Sequence, residues 1–420
     1  MTPMDLPVGN YPSVTALVSE HAADLEAKRE RAALRFETVD SEDALVRLAD
    51  GWNELVYAMP RPSPFMLHCW LLQWWRHYGE GCRLGVETAY RGERLVGALP
   101  LVTFSHRGLR AVTFVGARQS CLGDVLLAEG EGPELVEALV DRVRAAEHDY
   151  ADLFGLAADS RLAKLDGPRS LRLFKRIEAP VLDARESWEA TYRAKTNSRK
   201  RAHHKRRRRQ LAELGAVEVE RARTVDELEP ALEEAFRIHE LRWRGRPDGS
   251  GFVTETGKRF NRAALRGLAE LDSTRIVMLR VGGKAVAFSW YFMLNDRAYL
   301  HRLAFDPAVG HCSPGLINAL DSLEAVVEEG GRRMEFLGGA ERYKVELADR
   351  FEPLYLGLGL PGSTAGSAFV AARWRWLRLR QLGKQSGLAR RVYYGSEPFR
   401  RRLSRRRDVL RPSGVMRAGD

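Results

Sequence analysis

Four landmarks in this 420-residue chain recur in one order at a nearly constant spacing. Phe65 of "PSPF" and Phe252 of "GSGF" lie 187 positions apart, and the turn glycines Gly92 and Gly283 lie 191 apart. Asp124 and Asp306 are separated by 182 positions, Asp152 and Glu335 by 183. Chance supplies one such pair easily. Four in order, marking a helix, a hairpin, a strand–loop–helix and a strand, argue for two copies of one unit. The length agrees, because 420 residues exceed what a single hydrophobic core organises.

Each copy carries the same kinds of local signal. In the first, "DSEDALVRLADGWNELVYAM" predicts one helix capped at Asp40 or Ser41, with Leu45, Leu48, Trp52 and Leu55 at helical spacing. A second helix opens at Pro64 and closes at Gly79. Strand-like runs follow around turns at 91–93 and 106–108, then a helix from Pro133 and a strand at "YADLFGL". In the second copy, Thr224 and Glu227 form a capping-box signature ahead of a helix ending at "HELRW". Strands "RIVMLRV" and "AVAFSWYFML" meet at Gly282-Gly283-Lys284, and Asn295-Asp296 turns the chain into "AYLHRLAF". A loop, a helix and the strand "RRMEFLGG" complete the copy. Hairpins followed by a strand–helix–strand crossover predict an α/β protein with mixed, mostly antiparallel sheets flanked by helices, in two tandem domains.

The bulk numbers narrow the class. An apolar content of 45% with 29% charged residues is that of a globular chain. The cysteines Cys69, Cys82, Cys121 and Cys312 are far apart, with no metal-ligand spacing, so reduced thiols are expected and no metal is. With neither a signal-peptide pattern nor a long apolar run, the expected location is cytoplasmic.

The stretch from Phe305 to Leu323 carries the most specific local signal. An apolar strand ends, "GHCSPG" follows, and a helix begins at once. Leu316, Leu320, Leu323 and Val327 share one face, whose burial contributes on the order of 6–12 kcal/mol of gross transfer free energy. Asp321, Ser322, Glu324 and Glu328 are expected on the solvent face. Ser313 suits the N-cap, Pro314 suits N1, and Gly315 permits close approach of another group. A docked helix start of this kind offers N–H donors to an anion. The crossover rule makes the strand before this helix and the strand after it parallel neighbours, so "GGAERYK" emerges beside "GHCSPG".

This order, with "HELRW" (239–243), "AFDPAVGHCSPG" (304–315) and "MEFLGGAERYK" (334–344), resembles the GNAT superfamily of acyl-CoA-dependent N-acyltransferases. It is similar above all to the FemAB-like and CelD-like branch, which carries two such domains in tandem. The resemblance covers roughly 36–360. It implies that acyl-CoA, acetyl-CoA included, lies as co-substrate on the loop and helix start, with Phe305, His311, Ser313, Gly315 and Leu316 as donor-binding residues. It further implies an amine acceptor on a sugar, glycan, lipid-linked or cell-envelope precursor. The spaced-glycine pattern of GNAT donor loops is only partly present in "GHCSPG", so two alternatives stay open. One is a Fem-like aminoacyl-tRNA donor; the other is a non-catalytic scaffold.

Acyl transfer to an amine needs a polarised carbonyl, a proton acceptor and a fixed geometry. Glu341 is the candidate base, Lys344 the candidate stabiliser of the oxyanion or donor phosphates, and Tyr343 the candidate orienter of the acceptor. If Glu341 and Lys344 are instead a solvated pair, removing either charge costs about 0–1 kcal/mol. Arg242, Trp243 and Asp124 are candidate acceptor-binding residues, while His239 and His301 are expected to be ordinary, satisfied histidines.

Charge is distributed unevenly. Arg193–Arg209 holds ten Lys/Arg and no acid, and Arg373–Arg411 carries +12. With +10 and +12 there and +11 overall, the remainder carries −11. The two segments are candidate contacts for tRNA or for an anionic membrane surface, with a solvated face as the plain alternative. The organisation expected is a leader at 1–34, domains at 35–185 and 223–365, a basic linker or helix at 186–222 and a basic tail at 366–420.

Overall fold

The computed structural model describes residues 33–244, 251–339 and 341–385; residues 1–32 of the leader expected at 1–34, and the tail beyond 385, lie outside the described residues. Strand β1 (Leu34–Val39) leads into α1 (Glu42–Val46) and α2 (Ala49–Tyr57). Ser41 caps α1 as expected, but the single helix predicted over 40–59 is two. The chain tightens where Leu48 N–H bonds Leu45 O at 3.1 Å, which keeps Leu45, Leu48 and Trp52 all in the core. Helix α3 (His68–Tyr78) follows, then β2 (Cys82–Leu84), β3 (Val86–Arg91), β4 (Arg94–Leu99), β5 (Leu101–His106), β6 (Leu109–Phe114) and β7 (Leu126–Leu127). Helix α4 (Pro133–Ala145), β8 (Tyr150–Ala157) and β9 (Leu171–Asp183) complete the first half.

The second half opens with α5 (Trp188–Lys195), α6 (Ser198–Ala212) and β10 (Val217–Ala222). Then come α7 (Val225–Trp243), α8 (Glu255–Glu270), β11 (Thr274–Val281), β12 (Lys284–Leu294) and β13 (Arg297–Phe305). The predicted capping box starts α7, with Glu227 accepting from the N–H of Thr224 at 3.0 Å. Helix α9 (Pro314–Glu328), β14 (Arg333–Glu335), α10 (Arg342–Leu347), β15 (Arg350–Gly359) and α11 (Thr364–Gln385) end the described chain.

Pairing repeats between the halves. β3 and β4 form an antiparallel hairpin as β11 and β12 do, and β6 lies parallel to β8 as β13 does to β14. The fold is the expected mixed α/β architecture, with mixed, mostly antiparallel sheets. The final strands, however, are exchanged, which no local signal announces: β9 of the first half pairs with β14, and β15 of the second half lies between β9 and β8. An eleven-stranded sheet, β10-β11-β12-β13-β14-β9-β15-β8-β6-β5-β2, therefore runs through both halves.

The repeat-equivalent helices α3 and α8 pack across the boundary between halves. A side chain at Gly267 would meet Cys69 Cβ at 2.6 Å, so glycine is required for this approach. Arg61, Glu335 and Glu352 add a buried ionic contact across the same boundary. The described part of the basic tail, α11, docks through Val370 and Leu377 on Phe104 and Tyr150 of the first half and on Leu356 and Leu358 of β15, with Arg373 3.5 Å from Asp152. Among the described residues no helix is long and apolar enough to cross a membrane.

Candidate active site

Phe305 ends β13, and the chain turns through a 3-10 segment, Pro307–Cys312, capped by the Asp306 carboxylate. Ser313 holds the predicted N-cap position but with left-handed backbone angles, φ 58° and ψ 47°. A capping hydroxyl needs extended backbone, so the Ser313 side chain makes no capping bond; its carbonyl instead accepts from the N–H groups of Leu316 and Ile317. Non-glycine residues hold this conformation at a cost of about 1–3 kcal/mol, and such strain concentrates at functional sites.

Gly315 is needed for a reason the sequence does not give. A Cβ there would lie 2.8 Å from Phe305 Cδ1, so the group that approaches it is this ring. Arg242, from the end of α7, stacks its guanidinium over the same ring at 4.7 Å. Trp243 stacks on His239 with ring centres 5.8 Å apart.

Helix α9 is buried more completely than one apolar face requires. Leu320 and Leu323 are buried as expected, but Asp321 and Ser322 are buried too, while Leu316 and Val327 are half-buried. The cause is a second helical layer. The basic run folds as α6, capped by Asn197, and packs on α9. Arg208 donates to Asp321 Oδ1 at 2.8 Å, and burial pushes the Asp321 carboxyl up to about 6. Arg207 Nη1 donates to the His311 carbonyl at 2.6 Å, fixing the loop before α9, while the His311 side chain is exposed. Lys200 reaches Glu346 of α10 at 3.4 Å, so α6 bridges the two elements. Its outer stripe, Arg199, Lys205, Arg206 and Arg209, faces solvent.

Lys344 is no solvated residue. Its side chain is 8% exposed, donates to the Gly338 carbonyl at 2.8 Å and lies 3.1 Å from Glu341, which is 57% exposed. Tyr343 turns the other way, packing edge-on against Phe336 in the apolar cluster that holds Leu316, Leu320 and Leu323; burial raises its phenol pKa. Phe305, His311, Ser313, Gly315 and Leu316 thus share one end of the second half with Arg242, and α6 and this cluster join them to α10. Asp124 stands apart in the first half. Its carboxylate accepts from Ser160 Oγ and from the N–H groups of Val125, Arg161 and Leu162, which together tie down its own loop.

The sequence pattern misses a group on the opposite face of β13. Trp290 pairs with Arg302 whereas Tyr291 pairs with Leu300, so His301 is the extra residue of a β-bulge. Plain alternation would send His301 and Arg302 to opposite faces; the bulge turns both toward the first half. His301 fills an aromatic cage of Trp70, Trp290 and Phe292, 4.9–5.5 Å away, and burial holds its pKa well below the ordinary value. Among the described residues neither ring nitrogen of His239 has a hydrogen-bond partner, nor does His301 Nε2, so these histidines are interior but not satisfied. The signal available was an adjacent His-Arg pair inside an otherwise apolar strand.

Residues 198–345 match the family model described as an acetyltransferase (GNAT) domain. No curated protein sequence matches the chain. Among solved structures, the C-terminal domain (DUF2156) of a protein described as a lysylphosphatidylglycerol synthetase from Agrobacterium fabrum is 15% identical, with TM-score 0.50. That match covers 79% of this chain and 96% of the other. FemX is 11% identical, TM-score 0.48, covering 76% and 96%. A tandem GNAT protein from the clavulanic acid biosynthesis pathway is 13% identical, TM-score 0.43, covering 79% and 100%. The fold is that of tandem GNAT-like domains.

Proposed function

We propose that this chain is an N-acyltransferase whose second half binds acyl-CoA at the head of α9 and transfers the acyl group to an amine. The observation that carries the reading is the convergence of Phe305, Ser313 and Gly315 with Arg242 at one end of the second half, joined to Lys344 through α6 and the apolar cluster beneath it. The amine nitrogen attacks the thioester carbonyl carbon, the C–S bond breaks, and the thiolate leaves with CoA. Lys344 is suited to balance the negative charge that develops on the carbonyl oxygen. Glu341, largely exposed, takes the amine proton directly or through solvent. The acceptor we favour is an amine on a sugar or cell-envelope precursor, in keeping with the sequence resemblance. Calorimetric titration with acetyl-CoA and a longer acyl-CoA tests the donor; absence of binding by either would overturn this reading.

A second donor, aminoacyl-tRNA, is favoured by one feature. Arg199, Lys205, Arg206 and Arg209 form an outward cationic stripe on the helix that holds the donor loop. If tRNA is the donor, its binding weakens steeply with salt. Replacing these four residues by Gln then flattens that dependence by roughly 0.7–0.9 log units for each phosphate no longer neutralised. The exposed Trp376, Leu379 and Leu382 among the arginines of α11 support the expected contact with an anionic membrane surface. Co-sedimentation with neutral and anionic vesicles tests it.

A further inference from the structure

Arg302 is a poorly explained charge among the described residues. The bulge in β13 turns it inward, where its guanidinium lies over the Phe252 ring at 5.5 Å. Among the described residues it has no carboxylate partner, and its Nε is buried without an acceptor. Three more buried polar atoms are equally unpaired among the described residues: both ring nitrogens of His239, whose ring lies 4.9 Å from the same Phe252, and the Tyr78 hydroxyl, which feels the Arg302 charge. Arg302's charge adds to burial in pulling His239 down to about 3, and it opposes burial at the Tyr78 phenol and the Cys121 thiol. Lys344's charge also opposes burial at Cys121. Tyr78 and Cys121 come from the first half, His239, Phe252 and Arg302 from the second.

Arg302 is half-buried with its Nε cut off from solvent, and a desolvated charge without a counter-ion is costly, so an anion that completes it would be bound favourably. Arginine presents its donors in a planar fork that matches a carboxylate. Tyr78 adds one hydroxyl donor, and neutral His239 adds one N–H. The surroundings are aromatic, and among the described residues there Arg302 is the cation without a counter-ion. That set suits a single negative charge better than a doubly charged phosphate.

We propose that Arg302, with Tyr78 and His239, forms an acceptor subsite for a carboxylate, so that the amine acylated by this protein belongs to a carboxylate-bearing molecule. The proposal rests on the acyltransfer reading for its meaning, but the anion site is testable apart from it. Thermal unfolding of the full chain is followed in benzoate, benzamide, phosphate and chloride at equal ionic strength, each at tens of millimolar. Benzoate is expected to raise the wild-type Tm by a few degrees relative to chloride, benzamide not. Arg302→Met abolishes the benzoate shift while leaving the Tm in chloride equal or higher, because it removes an uncompensated buried charge. Tyr78→Phe reduces the shift.

Failure of benzoate to stabilise the wild type would overturn the proposal. So would equal shifts from benzamide, a larger shift from phosphate, or a benzoate shift that survives Arg302→Met. A large loss of Tm for Arg302→Met in chloride would mark Arg302 as structural instead. Acyl-CoA titration separates the two ideas: donor binding absent in the wild type with the benzoate shift intact sinks only the acyltransfer reading.

Discussion

Phe305 and Gly315 are packed so closely that a methyl group on residue 315 would lie 2.8 Å from the ring. The strand that delivers Phe305 and the helix that begins at Pro314 therefore share one position, and Arg242 is held on the same ring at 4.7 Å. Gly315→Ala must push the ring aside. It is expected to cost about 1–3 kcal/mol in urea unfolding and to weaken acyl-CoA binding, since the loop and the helix head move together. Unchanged donor affinity in a folded variant would place the donor elsewhere.

Lys344 and Glu341 are neighbours in very different surroundings, and their variants should behave differently. Removing the Lys344 side chain leaves the Gly338 carbonyl without its donor, so Lys344→Met is expected to cost about 1–3 kcal/mol. Glu341→Gln, at an exposed side chain, should stay within about 0.5 kcal/mol of wild type. Both should lower turnover at saturating donor, the lysine variant by at least tenfold. Wild-type kcat in the two variants removes this site from the reaction.

What the sequence reveals and conceals follows from the range of each interaction. The hairpins at Gly92 and Gly283, the capping box at Thr224 and the helix after Ser313 are local, so turn chemistry and periodicity expose them. The exchange of β9 and β15 is not local. In "LRLFKRIEAPVLD" a mixed pattern gives no hint that its partners lie 150 or more residues away. The burial of Lys344 and the inward turn of Arg302 are concealed for the same reason. Both are set by register and by packing between halves, whereas a one-residue bulge reverses what alternation implies. The basic run is legible as charge but not as a cover for α9, because its bonds to His311 and Asp321 span more than 100 residues.

Asp321 gives the molecule a pH-dependent stability of definite sign. Its folded pKa, about 6, lies above the unfolded carboxylate value, because burial outweighs the attraction of Arg208. The folded state thus holds the proton more tightly. The neutral carboxyl's contribution is complete below the unfolded pKa and is lost as pH rises through the folded one. A shift of this size corresponds to about 3 kcal/mol. Asp321→Asn, which cannot ionise, should therefore gain stability relative to wild type between pH 4 and pH 7, by an amount approaching that figure. Parallel unfolding curves at both pH values, with no change in the difference, would contradict the assignment.

A buried ionic cluster ties the two halves together. Arg61 lies in a first-half loop, 2.5 Å from the fully buried Glu335 on β14 and 3.1 Å from Glu352 on β15. Arg333 and Arg297 also face Glu335, at 2.9 and 3.7 Å. Arg61→Ala leaves the carboxylate with those two guanidinium groups, whereas Glu335→Ala leaves three arginines without their shared anion. The glutamate variant should be the less stable of the two, with losses of about 3–5 kcal/mol when a buried partner is removed. Because β15 lies between β8 and β9, neither half can lose its last strand without opening the other. Calorimetry of the wild type should show one cooperative transition, and both variants should lower it without splitting it. Two resolved transitions would mean that the exchanged strands do not couple the halves.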